Sequence, residues 1–412
     1  MTTTIPVEPV DLADAALVEN PYPHYARLRG AGAPVRSSVW DCWFAATHAQ
    51  CHAVFGDSRF SAVGQPMLRG LQAAVVSGAR SYALPEPPPE PDASAHRAQG
   101  RRTTGRALST GYVDGLWPGF AAACRELAAD LAARPGPVDV VADYAIPLAT
   151  RLLADLMAIA DADLPAFRAW AESGYGPPAD AADQRRIVRG IRELLARSAV
   201  GRLREPTQDF IGHLVANPGT LTGGGGVGEH LEFVLGTGLM ISLVTHQGLV
   251  LSFGTLVDAL ARHPGQYARV RADRALVPGA VEEGLRYDPS TQALGRLARA
   301  DVVIDGTPIP AGGLVLCLVG SANRDPAQWP DADTFDVGRD TRAAARHLTF
   351  GWGATSCLGA AMSRQAMSHM LAALVDAADA VTPSSGAVRF PEFMTRGYTA
   401  LPVHLTPARS DG

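Results

Sequence analysis

Apolar and polar positions follow two different periods along the chain. Over residues 96–260 apolar residues return every three or four positions, the spacing of one helical face. That pattern breaks at Pro135-Gly136-Pro137, at Pro177-Pro178 and at the glycine run 223–226, where proline or glycine interrupts a helix. From residue 300 onward the period shortens. Residues 301–304 and 314–319 read as short strands around turns at Gly306 and Gly312-Gly313. A final helix is expected over residues 358–378, followed by a strand-like tail. Near the start, residues 22–60 read as a short helix, two strands and a second helix ending in Asp57-Ser58-Arg59-Phe60-Ser61. Residues 62–95 form a long irregular stretch containing Pro85-Glu86-Pro87-Pro88-Pro89-Glu90-Pro91, and loops of that length are usually functional or disordered. No internal repeat and no clean linker is evident. The expected fold is mostly α, helix-rich α+β with small sheets late in the sequence, as one domain over residues 1–412.

The stretch 231–260 comes nearest to a membrane span, yet it carries Glu232, Thr245, His246, Gln247 and Asp258. It reads as a buried central helix, and no membrane association is expected. The N-terminal segment has no basic stretch followed by an apolar core, so no secretion signal is expected. The five cysteines, Cys42, Cys51, Cys124, Cys317 and Cys357, have no paired spacing. That suits a reducing cytoplasm rather than a disulfide scaffold or a zinc site.

Composition narrows the function classes. The net charge is -5 and the isoelectric point about 6.1, which gives no reason to expect nucleic acid. All 36 Lys+Arg positions are arginine, so chemistry that needs a Schiff-base or phosphate-loop lysine is excluded.

The most informative segment is Phe350-Gly351-Trp352-Gly353-Ala354-Thr355-Ser356-Cys357-Leu358-Gly359. Two glycines just before a lone cysteine indicate a tight backbone with positive φ and close approach of another group. The cysteine then stands at the start of the final helix, where backbone N–H groups and the helix dipole favour a thiolate. A thiolate is a suitable axial ligand for heme iron. Gly359 keeps the first turn thin enough for a flat macrocycle to lie against it. The competing reading is a small buried core cysteine.

This segment is similar to the heme-binding loop of the cytochrome P-450 family, Phe-Gly-x-Gly-x-(His/Arg)-x-Cys-x-Gly. The resemblance extends to Glu283-Gly284-Leu285-Arg286, to the text from Tyr287 to Arg296, to Asn323-Arg324-Asp325-Pro326 and to Phe335-Asp336-Val337-Gly338-Arg339. It implies a cytochrome P-450-like fold, heme b (iron protoporphyrin IX), and Cys357 as iron ligand within a frame of Phe350, Gly351 and Gly359. It implies a buried triad of Glu283, Arg286 and Arg339 that supports the cysteine loop. It also implies that Arg296 and His96 hold the heme propionates. The family usually has an arginine four residues after that histidine, where this chain has Gly100; Arg101 becomes the equivalent if one residue is inserted. Thr355 stands where the family has His or Arg. The cluster Arg97, Arg101, Arg102 and Arg106 is either a solvated helix face or a basic patch that steers an acidic electron donor. The donors expected are a ferredoxin and its ferredoxin reductase.

The central helix departs from the family. Its acid–alcohol pair falls on Gln247 and Gly248 of Val244-Thr245-His246-Gln247-Gly248-Leu249. A second register puts His246 and Gln247 at the alcohol positions, and neither restores the pair. His246 is either a proton carrier near neutral pH or a hydrogen-bonded packing residue. Substrate contacts are implied for residues 62–92, 165–200, 244–249, 293–294 and 395–397. The expected enzyme oxidises a small or medium organic molecule in secondary-metabolite tailoring, by coupling, cyclisation, dehydrogenation or rearrangement. The alternatives are a hydroxylating monooxygenase with substrate-assisted proton delivery and a catalytically silent heme-fold protein that recruits a partner.

Overall fold

The computed structural model describes residues 7–8, 10–12, 14–62, 92–109, 111–173, 181–217, 226–340 and 347–409. Its contacts gather into two compact units, each made of three separate stretches of chain: 1–88, 255–357 and 388–398 in the first, 89–254, 358–387 and 399–412 in the second.

The first unit is built on a six-stranded mixed sheet. Its strands run in the order Val7–Glu8, Val35–Ser37, Cys42–Ala45, Leu314–Leu318, Ala293–Ala298, Phe60–Ala62. Cys42–Ala45 pairs in parallel with Leu314–Leu318, and Ala293–Ala298 pairs antiparallel with both of its neighbours. The strand Leu314–Leu318 is apolar throughout because both of its faces are covered. Leu314, Leu316 and Leu318 pack with Tyr25, Trp40 and Phe44, while Val315 and Cys317 pack with Trp43, Val54 and Phe55. The hairpin of Val302–Ile304 and Thr307–Ile309 turns on Asp305-Gly306, both at positive φ, 45° and 79°, the backbone that a two-residue hairpin loop requires.

Helix His48–Gly56 opens with a capping box between Thr47 and Gln50, which satisfies two orphan N–H groups. It ends at Gly56, earlier than the sequence suggested. Asp57 is already extended, and Phe60–Ala62 becomes an edge strand against Ala293–Ala298.

Helix Val277–Tyr287 carries the acid–base pair of the triad. Arg286 donates from Nε and Nη2 to the two Glu283 oxygens, each at 2.8 Å, and both side chains have zero exposure. The remaining Arg286 donors reach the carbonyls of Asn323, Ala332 and Thr334. Arg339 Nε lies 3.2 Å from Glu283 and its other nitrogens reach the carbonyls of Pro330, Asp331 and Thr334. The Asp336 N–H also donates to Glu283, at 2.9 Å. The charge is therefore paired, and its lone pairs are occupied. From Asn323 the network reaches the segment before the cysteine loop. Asn323 Oδ1 accepts from Leu348 N–H at 2.7 Å, its Nδ2 donates to Thr349 Oγ1 at 2.9 Å, and Thr349 donates to the Leu285 carbonyl.

The second unit is helical, with one three-stranded sheet of Ala378–Pro383, Pro402–Pro407 and Pro137–Asp139. The last of these strands was not expected, because Pro135-Gly136-Pro137 reads as a break between helices. Tyr144 is buried and donates to the Met370 carbonyl at 2.8 Å, tying the turn Val141–Ala145 to helix Ala360–Ala377. Trp117 of helix Gly111–Ala133 stacks on His369 of the same C-terminal helix, 5.7 Å between centroids.

The central helix is Val227–Arg262, 36 residues, or about 54 Å. It is long and apolar enough to cross a membrane, and 56% of its most apolar window is buried inside the protein. Burial, rather than lipid, therefore accounts for more than half of that apolar run.

Glu283→Ala would leave two guanidinium groups in a buried site without their carboxylate, at a cost of about 3–5 kcal/mol. Arg27→Ala removes exposed contacts with Glu8 and His24, a change of at most about 1 kcal/mol. Urea denaturation should separate the two variants by that margin; equal losses would deny the triad its supporting role.

Candidate active site

The cysteine loop is shaped by two glycines. Gly351 and Gly353 have φ of 68° and 71°, the left-handed region that a Cβ disfavours. A Cβ on Gly353 would also lie 3.0 Å from the Phe55 carbonyl oxygen. The loop closes on itself through the Cys357 N–H, which donates to the Phe350 carbonyl at 2.8 Å, and through Gly351 N–H to Leu348 O at 2.8 Å. Trp352 packs on His52 of helix His48–Gly56, 4.7 Å between centroids. Half-buried Phe350 lies beside His347, with ring centroids 6.0 Å apart. The C-terminal helix begins at Ala360, with Gly359 as its cap residue at φ -84° and ψ 5°. Cys357 thus stands two residues before the cap, in the loop, and not on the first helical turn as its sequence position suggested.

Exposure separates this cysteine from the rest. Cys357 is exposed, whereas Cys42, Cys51, Cys124 and Cys317 are buried. Burial pushes the Cys42 and Cys51 thiols well up and the Cys124 thiol up to about 12, so those three stay protonated near neutral pH.

Arg296 lies in the strand Ala293–Ala298, opposite Val315 on one side and Ala62 on the other. It is 5% exposed. Its Nη2 donates to Thr355 Oγ1 at 2.8 Å and its Nη1 to the Gly295 carbonyl at 2.9 Å. The guanidinium carbon sits 4.6 Å from the centroid of the Phe55 ring. The uncharged residue at position 355 is therefore a hydrogen-bond acceptor for this arginine.

His96, Gly100 and Arg101 lie on helix Asp92–Ala107. The His96 side chain is outside the described residues, as are residues 63–91 and 174–180 of the segments expected to face substrate. Gly100 is on the buried face, where a Cβ would meet the Phe233 ring of the central helix at 3.0 Å. That ring fills the space that a longer side chain at position 100 would take. Arg101 is half-buried on the flank of that face, and Arg102 and Arg106 are exposed. Gly105 of this helix would bring a Cβ within 3.5 Å of Leu358.

On the central helix His246 is buried and turned toward packing partners. Its Nε2 is 3.0 Å from Thr150 Oγ1, whose own hydrogen goes to the Ile146 carbonyl at 2.8 Å. The hydroxyl oxygen is left to accept, so Nε2 carries the proton. The Trp170 ring lies edge-on at 6.4 Å. Burial lowers the His246 pKa to about 4. The imidazole is neutral at neutral pH, which favours the hydrogen-bonded packing reading over the proton carrier. Gln247 and Gly248 are half-buried, and a Cβ on Gly248 would meet nothing within 4 Å. Among the described residues a Cβ on Gly236 would likewise meet nothing within 4 Å, while Met240 and Val244 are 43% and 49% exposed. At intervals of four residues these positions share one face, an apolar stripe that the described residues leave partly open along a helix otherwise largely buried. Leu249 and Ala293, both expected near substrate, are packed in the interior.

Residues 261–393 match the family described as cytochrome P-450. The chain is 31% identical to the cytochrome P-450 monooxygenase PikC of Streptomyces venezuelae over 422 aligned positions, covering 100% of this chain and 97% of that one. The chain belongs to the cytochrome P-450 family. It is also 29% identical to cytochrome p450 CYP199A2 of Rhodopseudomonas palustris, over 94% and 92% of the two chains. The crystal structure of CalO2 matches with a TM-score of 0.78 at 28% identity, covering 97% of this chain and 99% of that one.

As a cytochrome P-450 the protein is a heme-dependent oxidoreductase of the monooxygenase type. The residues present fit the group. An exposed thiol at the end of a glycine-shaped loop suits the iron, and a buried guanidinium suits a heme carboxylate. Sequence reasoning missed Thr150 as the partner of His246, Phe233 as the neighbour of Gly100, and the bond from Arg296 to Thr355. Each joins residues far apart in the chain, and no local signal marks them.

Two outcomes follow. Cys357→Ala should abolish the red-shifted carbon monoxide band of the reduced protein, while Cys124→Ala should keep it; persistence in the first variant would move the ligand to another cysteine. Neutral His246 should also leave a mark on acid stability. Its folded pKa lies below the ordinary value of 6.5, so the unfolded chain takes up the proton first. The stabilisation is complete above about pH 6.5 and is lost as pH falls toward 4. Denaturation midpoints taken across that window should fall less steeply for His246→Gln than for the natural protein, and equal slopes would contradict the assignment.

Proposed function

We propose that this cytochrome P-450 tailors a small or medium, largely apolar organic molecule in secondary metabolism, by hydrogen removal, coupling, cyclisation or rearrangement rather than simple hydroxylation. The cofactor is heme b, in one heme-binding domain over residues 1–412. Cys357 binds the iron within the frame of Phe350, Gly351 and Gly359, and Arg296, Arg101 and His96 hold the propionates. When bound, the thiolate-ligated heme supplies the oxidant by promoting O–O cleavage.

The observation that carries the reaction outcome is the central helix at His246, Gln247 and Gly248. A side chain that relays protons needs a titratable or hydroxyl group within hydrogen-bond reach. Gln247 has no acidic proton and Gly248 has no side chain. His246 is neutral and bonded to Thr150. Protons must then come from the substrate or from water, and some oxygen is reduced unproductively to hydrogen peroxide. A product formed without oxygen insertion tolerates that loss. The open space beside Gly248 and Gly236 and the exposed Met240 and Val244 suit a bulky apolar molecule.

A second reading rests on the naming of PikC as a monooxygenase: hydroxylation in which the substrate's own hydroxyl or amide supplies the proton. Electron supply comes from a ferredoxin and its reductase in the cytoplasm. The exposed Arg102 and Arg106 suit an acidic donor.

The test compares the natural protein with Gln247→Glu/Gly248→Thr, supplied with reductant, ferredoxin and reductase, and an apolar molecule that perturbs the heme spectrum. A Cβ at position 248 has open space, so the double variant should keep its heme. The natural protein should give a product lighter by two hydrogens or unchanged in mass, with a high peroxide yield; the variant should shift toward a product heavier by one oxygen, with less peroxide. Tightly coupled oxygen insertion by the natural protein, into a molecule lacking a hydroxyl or amide, would overturn the proposal.

A further inference from the structure

Thr355 closes the short helical turn Gly353–Thr355, two residues before Cys357. Its hydroxyl is the point where the cysteine loop meets Arg296, a residue 59 positions earlier. The guanidinium is held on three sides. Phe55 lies beneath it at 4.6 Å, the Gly295 carbonyl takes Nη1 at 2.9 Å, and Thr355 takes Nη2 at 2.8 Å. A free arginine side chain gives up considerable rotamer freedom on being ordered. A planar fork already locked in place binds a carboxylate without that loss. Threonine suits the locking role because branching at Cβ restricts it to few rotamers. It accepts from a cation without bringing a second positive charge beside it, as an arginine at this position would.

We propose that Thr355 is a positioning residue, which fixes the Arg296 guanidinium for a heme carboxylate and couples that contact to the loop bearing the thiolate. The inference rests on the reading of Arg296 as a propionate partner. It adds that an uncharged side chain two residues from the ligand governs how firmly the heme is kept. It also governs where the heme's reduction potential lies, because a cation held near the heme favours the reduced form.

The experiment uses full-length holoprotein carrying Thr355→Val, which keeps the shape and loses the acceptor, and Thr355→Ser, which keeps the acceptor. Each is also made in an Arg296→Leu background. The readouts are the rate of heme transfer to apomyoglobin and the midpoint potential from a dye-coupled titration. Thr355→Val should lose heme on the order of tenfold faster, as expected for a hydrogen bond to a charged group, with a potential shifted to more negative values. Thr355→Ser should restore both. In the Arg296→Leu background Thr355→Val should add nothing, since the two residues act as one unit. Natural behaviour of Thr355→Val would overturn the proposal, and so would an equal effect of that variant with and without Arg296. Natural heme retention in Arg296→Leu alone would instead refute the propionate reading beneath it. If Arg296→Leu cannot be purified with heme, the contrast between the valine and serine variants decides the matter.

Discussion

A carboxylate taken out of water must be answered by fixed donors, and Glu283 is answered by Arg286, by Arg339 and by the Asp336 N–H. The surplus donors of the two arginines then reach main-chain carbonyls between Asn323 and Thr334. A segment with little regular secondary structure is thereby given a single conformation. Asn323, held at one end of this arrangement, receives Leu348 and engages Thr349 immediately before the cysteine loop. The segment leading into the loop is thus tied to a buried charge. Two arginines and one glutamate at zero to slight exposure leave no neutral way to remove one member.

The cysteine loop was legible because its constraints are local. Two glycines at positive φ, a closing hydrogen bond over seven residues and a cap glycine are all written within residues 350–359. The same holds for the apolar strand Leu314–Leu318 and the Asp305-Gly306 turn, where period and turn chemistry act over a few residues. What stayed hidden depends on partners distant in sequence. His246 pairs with Thr150, 96 residues away, and burial among such distant partners keeps its imidazole neutral. Gly100 is explained by a ring at position 233. The strand Pro137–Asp139 is three residues long and exists only because Pro402–Pro407 lies alongside it. The start of the C-terminal helix was misread by two residues, because helical propensity continues through Leu358 whereas the backbone turns only at Gly359.

The central helix presents faces of two kinds. On its buried faces it packs as any core helix does, with Leu249, Val250, Leu251 and Phe253 fully enclosed. Along the stripe of Gly236, Met240, Val244 and Gly248 the described residues offer few close neighbours, and glycine in mid-helix lowers stability by about 1 kcal/mol relative to alanine.

The distribution of sulfur has a consequence for handling the protein. Four of the five cysteines are sealed in the interior, and the fifth lies exposed in the glycine-shaped loop. A thiol-directed label or an oxidant meeting the heme-free chain therefore finds a single address. Damage there progresses from sulfenic to sulfinic acid at the one exposed sulfur. Oxidation before reconstitution would strike this sulfur first and leave the four buried thiols intact.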